Sequence, residues 1–468
     1  MSVQRAFRPY GLTVPLIVAV GGFVAMLAWT ADRTSYDTWG GIVVGTVLVL
    51  GTFPLVLWLA KREEDPFVAR LLPWAMVLKL GASLARLAVA FGVYDGVADA
   101  NTYHSAALVL GPMYRRGDFS GDVGPFLGTG FLKALTGVVY AVIGPSRLGG
   151  FLVFSWFGFW GLYLFYRAFC IGCPEGNRKR YALLVFLLPS LLFWPSSIGK
   201  EGWITLTLGL SAYGAARILT HRRGGFASLA VGLVGTVVVR PHVSAILMVS
   251  VVAAYLLRRP PAGASITSPL AKLLGIVVLG LALAVAVGQT QDLLGGQDRF
   301  NAEAVTKALE RAHKQTSEGG SAFANGTTST DLSPSKFPWA FVSVAFRPFP
   351  WESHNALALL ASLEGTVLLV LFFTGRRRIV GAVRSLLRTP YVVLCITYSL
   401  LFVYGFSSFA NFGVLTRQRV QLFPFLLVLL ALPPFSRTEQ GWRGLLMEGT
   451  PDEPDAAERA LARTDHVR

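Results

Sequence analysis

The chain has 468 residues, 53% of them hydrophobic and only 15% charged, with a mean hydropathy of +0.54 and a formal net charge of +16. A soluble chain of this size splits into two or three domains and carries about a quarter charged residues, so the composition excludes a soluble enzyme and implies a membrane protein. The basic excess does not imply nucleic acid, because Lys and Arg lie in short clusters between apolar runs, where the positive-inside rule accounts for them.

In chain order, the first apolar run, 12–30, follows Arg5 and Arg8 as a signal peptide would, yet it is long and has no convincing small-residue cleavage site. It reads as a retained signal anchor. Further apolar runs fall at 40–60, 71–92, 126–144, 148–169, 181–198, 203–219, 226–239, 243–257, 270–288, 355–374, 390–406 and 418–434, each near the length a membrane crossing needs. If all cross, the cluster Arg178 to Arg180 and every later basic cluster fall on the face opposite Lys61 and Arg62. The run 126–144 contains Lys133, is Gly-rich and ends in Gly144 and Pro145, which suits an interfacial or re-entrant helix. Without it, about twelve spans remain, both termini are cytoplasmic, and the basic clusters share the cytoplasmic face. Cys170 and Cys173 form a lone CxxC, with no second pair to complete a tetrahedral zinc site.

The predicted fold is therefore all-α: a polytopic integral membrane bundle of about twelve transmembrane helices over residues 1–435, with an interfacial helix and external loops at about 93–147 and 289–354. Within the second loop, 300–315 has helical apolar spacing through Val305, Leu309 and Ala312, and 316–335 is Ser-, Thr- and Gly-rich. A short amphipathic helix and a mobile lid are expected there. Residues 436–468 mix acids and arginines and are expected to form a disordered cytoplasmic tail. No internal repeat is evident, which counts against an inverted-repeat transporter.

This topology gathers polar residues on the outer face. Asp95 and Asp99 stand four apart before Tyr103 and His104, and on a helical turn the two carboxylates share one face. A carboxylate there can take a proton from an attacking hydroxyl, and the pair can hold a divalent cation. The run 181–198 breaks within PSLLFWPSSIGKEG, 189–202, where Ser196 or Ser197 can cap the next helix and Lys200 and Glu201 open it. Such a helix start aims amide donors at an anion. Arg240, Pro241 and His242 lie between two apolar stretches, where a charge is costly without a purpose. The guanidinium can fork onto a phosphate and the imidazole can move a proton. Arg347 and Glu352 flank aromatic and proline residues including Trp351, which suits a sugar ring or an interfacial anchor, and Arg417 and Arg419 stand at the mouth of the last span.

These motifs, Asp99 with Tyr103 and His104, PSLLFWPSSIGKE, RPH at 240–242 and FRPFPWE at 346–352, resemble those of bacterial polytopic glycosyltransferases and exopolysaccharide-polymerase-like proteins over roughly 93–430. In the GT-C class the first large external loop bears an acidic catalytic residue and the donor is a polyprenyl-phosphate sugar. That resemblance casts Asp99 as the acidic catalytic residue and 126–144 as a juxtamembrane helix. The O-antigen polymerases and ligases are a second fit; they hold a polyprenyl diphosphate with external arginines and a histidine, which here implies Arg240, His242, Arg347, Arg417 and Arg419.

The expected activity is glycosyl transfer on the outer face of the plasma membrane, from a polyprenyl-linked donor to a glycan or lipid acceptor. Lys200, Arg240 and Arg347 are expected at the phosphate, His242 and Glu201 in proton handling or orientation, and Trp351 in stacking. A transporter or lipid flippase, and a non-catalytic scaffold for envelope assembly, are the competing readings.

Overall fold

The computed structural model describes residues 10–96, 98–258, 280, 310, 313–314, 335–353, 355–386, 388–409 and 411–435, with side chains from Gly21 onward. The expected span 270–288, the helix at 300–315, the segment 316–334 and the tail 436–468 lie outside the described residues.

Among the described residues the elements are helical, as the apolar runs require. The first three helices are α1 (Tyr10–Arg33), α2 (Tyr36–Lys61) and α3 (Pro66–Ala88), the last continuing into a wider turn at Val89–Val93. Next come α4 (Asp99–Arg115), α5 (Phe131–Ile143), α6 (Arg147–Gly172), α7 (Arg178–Leu187), α8 (Pro189–Phe193), α9 (Lys200–Leu219), α10 (Gly225–Val237) and α11 (Pro241–Leu256). After the interval that is not described stand α12 (Phe337–Phe346), α13 (Ala356–Thr374), α14 (Arg376–Arg384), α15 (Pro390–Phe406), α16 (Phe412–Gln418), α17 (Phe423–Leu426) and α18 (Val428–Ala431).

Helix starts follow local chemistry. Asp65 accepts from the Phe67 amide at 2.8 Å with Pro66 in the first turn of α3, Ser146 caps α6 through Gly149 at 2.9 Å, and Asn177 caps α7 through Arg180. Neither Ser196 nor Ser197 caps α9, contrary to expectation: its cap residue is Gly199, and Ser196 instead turns back to the Leu192 carbonyl at 2.6 Å.

Five segments are long and apolar enough to cross a membrane, at 36–61, 66–93, 126–143, 147–172 and 356–374, and a sixth is formed if the bent stretch 412–431 counts as one. The shorter apolar helices α10, α11, α12 and α15 have 13, 16, 10 and 17 residues, or about 15–26 Å of helix at 1.5 Å per residue. The expected interfacial run therefore meets the length and apolarity of a crossing helix, although it is kinked at Leu127 and Gly128. The last run also differs: helix begins at Phe412, and the chain bends by 54° before α17 and α18.

The centre of the bundle is α6, packed on α2, α3 and α9, with α10 on the other side of α9 and α11 against α15. Small residues set the closest crossing. A side chain at Gly161 would run into the backbone of Thr205 and Leu206, and one at Gly209 into the Gly161 carbonyl, so α6 and α9 meet backbone to backbone, the approach small residues permit in membrane bundles. This crossing fixes the first turn of α9, where Lys200 and Glu201 lie, against the rest of the bundle.

Candidate functional site

Asp95 does not share a helical face with Asp99. It sits in a turn at φ 46°, followed by Gly96 at φ 76°, and helix α4 begins only at Asp99. The Asx and glycine conformations here break the helical register that the four-residue spacing suggested. Asp99 is engaged by a guanidinium, and among the described residues no group of three or more His, Cys, Asp or Glu side chains could hold a metal ion.

Asp99 joins a network assembled from four distant parts of the chain. Its Oδ2 is 2.6 Å from Arg417 Nη1. Arg417 Nε donates to Glu201 Oε1 at 2.7 Å, and the same oxygen accepts from Arg240 Nη2 at 2.9 Å. The other terminal nitrogen of Arg240 donates to Gln418 Oε1, which also accepts from Gln421 Nε2 at 2.9 Å. Glu201 is 3% exposed and Arg240 6%, so these are dehydrated charges, whose burial is tolerable only because each meets an opposite charge with hydrogen-bonding geometry. The Asp99 side chain is 55% exposed and closes the network at the surface. The sequence elements account for the convergence: Glu201 stands in the first turn of α9, Arg240 at the cap position of α11 with Pro241 behind it, and Arg417 in the last turn of α16.

Beside this network is a cavity of about 210 Å³, lined by Arg86, Tyr94, Asp99, Ser197, Ile198 and Arg417 among others. Arg86 was hidden in the apolar run 71–92. Its guanidinium is buried against the faces of Phe193 and Trp194, 5.1 and 5.0 Å from the ring centroids. Lys79, one heptad earlier on α3, is buried too, but its Nζ is satisfied by the Leu191 and Leu192 carbonyls at 2.7 and 2.9 Å. The signal available in the sequence was this pair of basic residues inside a membrane-length run, since intramembrane charges mark functional or satisfied positions.

The other expected site residues fall into separate places. Tyr103 is buried on α4, and burial, followed by the negative charges of Asp99 and Glu201, pushes its phenol up to about 12. His104 Nδ1 is 2.6 Å from the Tyr140 hydroxyl on α5, and burial, then the charge of Arg147, lowers its pKa. Lys200 lies beside Gly128 and forms no hydrogen bond or ion pair among the described residues. His242 packs near Phe406, with ring centroids 5.9 Å apart, and donates to neither network carboxylate.

Arg347, Trp351, Glu352 and Arg419 make a second cluster. Arg347 is paired with Glu352, whose Oε2 also accepts from the Phe349 amide at 2.8 Å. Arg419 is fully buried and donates to the Arg347 carbonyl at 2.7 Å. Trp351 is 79% exposed and stacked on Phe349. Among the described residues Arg347 donates to Glu352, and the terminal nitrogens of Arg419 donate to the carbonyls of Arg347 and Ala361, while Arg419 Nε is buried without an acceptor. Glu364, which the sequence reading passed over, accepts from the Ser190 amide at 2.6 Å and so serves the start of α8.

No protein-family model matches the chain, and comparison with curated proteins and with solved structures finds no match. Fold and composition define a multi-pass helical membrane protein.

Proposed function

We propose that the protein is a membrane glycosyltransferase that works at the extracytoplasmic face, moving a sugar from a polyprenyl-phosphate donor to a cell-envelope glycan or lipid-linked acceptor. The observation that carries this reading is the ion network of Asp99, Arg417, Glu201 and Arg240 at the edge of a cavity. It combines a half-exposed carboxylate with fixed guanidiniums, the two kinds of group that such a transfer requires.

In the proposed step the acceptor hydroxyl oxygen forms a bond to the anomeric carbon while Asp99 takes its proton. The bond from the anomeric carbon to the phosphate oxygen breaks, and its electron pair leaves with the polyprenyl phosphate. Positive charge held in place beforehand stabilises that leaving group. Glu201 acts as a positioning residue, because one of its oxygens orients both Arg240 and Arg417. In this reading about twelve spans cross the membrane, with both termini in the cytoplasm.

A polyprenyl-diphosphate donor and a polymerase activity are the neighbouring alternative. The pairing of Arg347 with Glu352 and of Arg419 with backbone carbonyls favours the monophosphate donor, since it leaves fewer cations for a second phosphate. The test is transfer in proteoliposomes with labelled polyprenyl-phosphate and polyprenyl-diphosphate sugars, for wild type and Asp99→Asn. A single-sugar product from the monophosphate, lost in Asp99→Asn, is expected. A ladder from the diphosphate means a polymerase, and movement of lipid without transfer means a transporter.

A further inference from the structure

We infer that Arg86 is an anion-binding residue whose ligand is a phosphoryl group, held in the cavity between Arg86 and Arg417, and that this group displaces Asp99 from Arg417. The inference deepens the glycosyltransferase reading and rests on it for the identity of the anion.

Arg86 differs from the other buried cations of the bundle. Arg240 binds Glu201 and Gln418, Arg347 binds Glu352 and Lys79 binds two carbonyls; Arg419 leaves its Nε unmet but donates to backbone carbonyls from its terminal nitrogens and does not line the cavity. Arg86 is 8% exposed, its Nε and Nη1 are buried without any acceptor, and it donates no hydrogen bond among the described residues. A buried guanidinium whose donors are unmet is costly, and more so within an apolar helix. Phe193 and Trp194 offer ring faces to the cation but no lone pairs for its N–H groups. Arg86 and Arg417 both line the cavity, and an acceptor there reaches the guanidinium at Nη2, the one of its nitrogens that is not buried.

Charge points the same way. Among the described residues Arg86, Arg240 and Arg417 stand with the carboxylates of Glu201 and Asp99, so one guanidinium there has no anion, and Lys200 next to Glu201 adds to the excess. An oxyanion entering the cavity balances it. A phosphoryl group suits two guanidiniums approaching from different elements, since its oxygens diverge and each fork can take its own.

Asp99 holds the position that this ligand needs on Arg417. Its contact is a single ion pair at 2.6 Å with a side chain 55% exposed, the weak, solvent-competed kind. Glu201, by contrast, is buried and grips Arg417 from the other side. Entry of the phosphoryl group therefore costs the Asp99 contact and leaves the Glu201 contact in place. It frees the Asp99 carboxylate beside the bound donor, where the acceptor hydroxyl must lose its proton. Substrate binding and activation of the base become one event.

The experiment measures binding to the full-length protein in nanodiscs by calorimetry and ligand-induced thermal shift. The probes are inorganic phosphate, farnesyl phosphate and uncharged farnesol. Wild type is expected to bind farnesyl phosphate and not farnesol. Arg86→Gln should weaken phosphoryl binding about tenfold to a hundredfold, the worth of hydrogen bonds to a charged group. Asp99→Asn should strengthen it by about two- to fivefold, because a competing half-exposed carboxylate is gone, while abolishing transfer.

Without ligand, Arg86→Gln should melt at or above wild type, since an unmet buried charge has been removed. If Arg86→Gln cannot be recovered folded, Arg86→Lys carries the test and should bind at least about threefold more weakly, keeping the charge without the fork. Binding of inorganic phosphate alone identifies a free anion as sufficient, and binding of farnesyl phosphate only identifies a lipid headgroup; both support the site. Binding unchanged in the Arg86 variants, weaker binding in Asp99→Asn, or equal binding of farnesol and farnesyl phosphate overturns it. Arg86-dependent binding in a protein that transfers no sugar keeps the anion site and refutes the glycosyltransferase. Sugar transfer with Arg86-independent binding does the reverse.

Discussion

Replacing Glu201 by Gln tests whether the ion network holds the bundle together. The substitution keeps the side-chain shape and one acceptor oxygen but removes the only fully buried negative charge in the network. In the native protein that charge satisfies Arg240 Nη2 at 2.9 Å and Arg417 Nε at 2.7 Å. Removing one partner from a buried ion pair costs about 3–5 kcal/mol, because the remaining charge stays dehydrated and uncompensated. Gln still accepts one hydrogen bond and Gln418 still serves Arg240, so the lower end, about 3 kcal/mol, is expected. At about 150–250 residues 1 kcal/mol shifts the melting temperature by roughly 2–4 °C, and in a chain of 468 residues by about half as much, so a drop of about 3–6 °C is the working figure. It is read by thermal unfolding in nanodiscs, with Arg240→Met and the double variant beside it. The double variant restores the balance of charge and should lose clearly less than the sum of the two single losses, the signature of direct coupling. A Glu201→Gln protein that melts within about 1 °C of wild type, or strict additivity in the double variant, refutes the reasoning.

Three further outcomes test the scaffold around the site. Gly161→Ala should cost about 1–3 kcal/mol, because the new methyl meets the backbone of Thr205 and Leu206, which cannot rotate aside as a side chain can; an unchanged melting temperature would show that α6 and α9 can separate freely. Asp65→Ala removes the acceptor for the Phe67 amide at the start of α3 and should lower stability by about 0.5–2 kcal/mol, with Asp65→Ser largely restoring it. His104 gives a pH signature. Burial, and after it the charge of Arg147, lowers its pKa, so the unfolded chain binds the proton more readily than the native one. The stabilisation is complete above the unfolded value of about 6.5 and declines as pH falls below it. The difference in stability between wild type and His104→Gln should therefore shrink on acidification from pH 8 to pH 5, and a difference independent of pH would remove His104 from the account.

Much of the scaffold was legible because it depends on neighbours in sequence. Apolar runs gave helices wherever they are described, Pro189 broke the run 181–198 into α7 and α8, and Asp65, Ser146 and Asn177 sit at helix starts where their side chains accept from the next turn. Asp99, Glu201, Arg240 and Arg417 were each conspicuous as charges beside apolar stretches. Their mutual pairing was not legible, because Arg417 reaches a residue 216 positions away and Arg240 one 178 positions away. The error over Asp95 has a local cause: a four-residue spacing implies a shared face only if the chain is helical, and the turn at Asp95 and Gly96 is not.

The arginines show why composition alone misjudged the site. By sequence, Arg347, Arg417 and Arg419 are equivalent cations near the end of an apolar run, while Arg86 is one basic residue inside another. Their availability to an anion depends on acceptors supplied from elsewhere: Glu352 for Arg347, the Arg347 carbonyl for Arg419, Glu201 and Asp99 for Arg417. Among the described residues Arg86 receives no acceptor, and it lines a cavity. A guanidinium's capacity to bind substrate lies in hydrogen bonds that the fold leaves unmade, and the cost of leaving them unmade in an apolar interior makes an incoming phosphoryl group the favourable partner. The same accounting gives Glu201→Gln and Arg86→Gln opposite effects on stability, although both remove one buried charge from the same site. The sign follows from whether the charge removed had a partner.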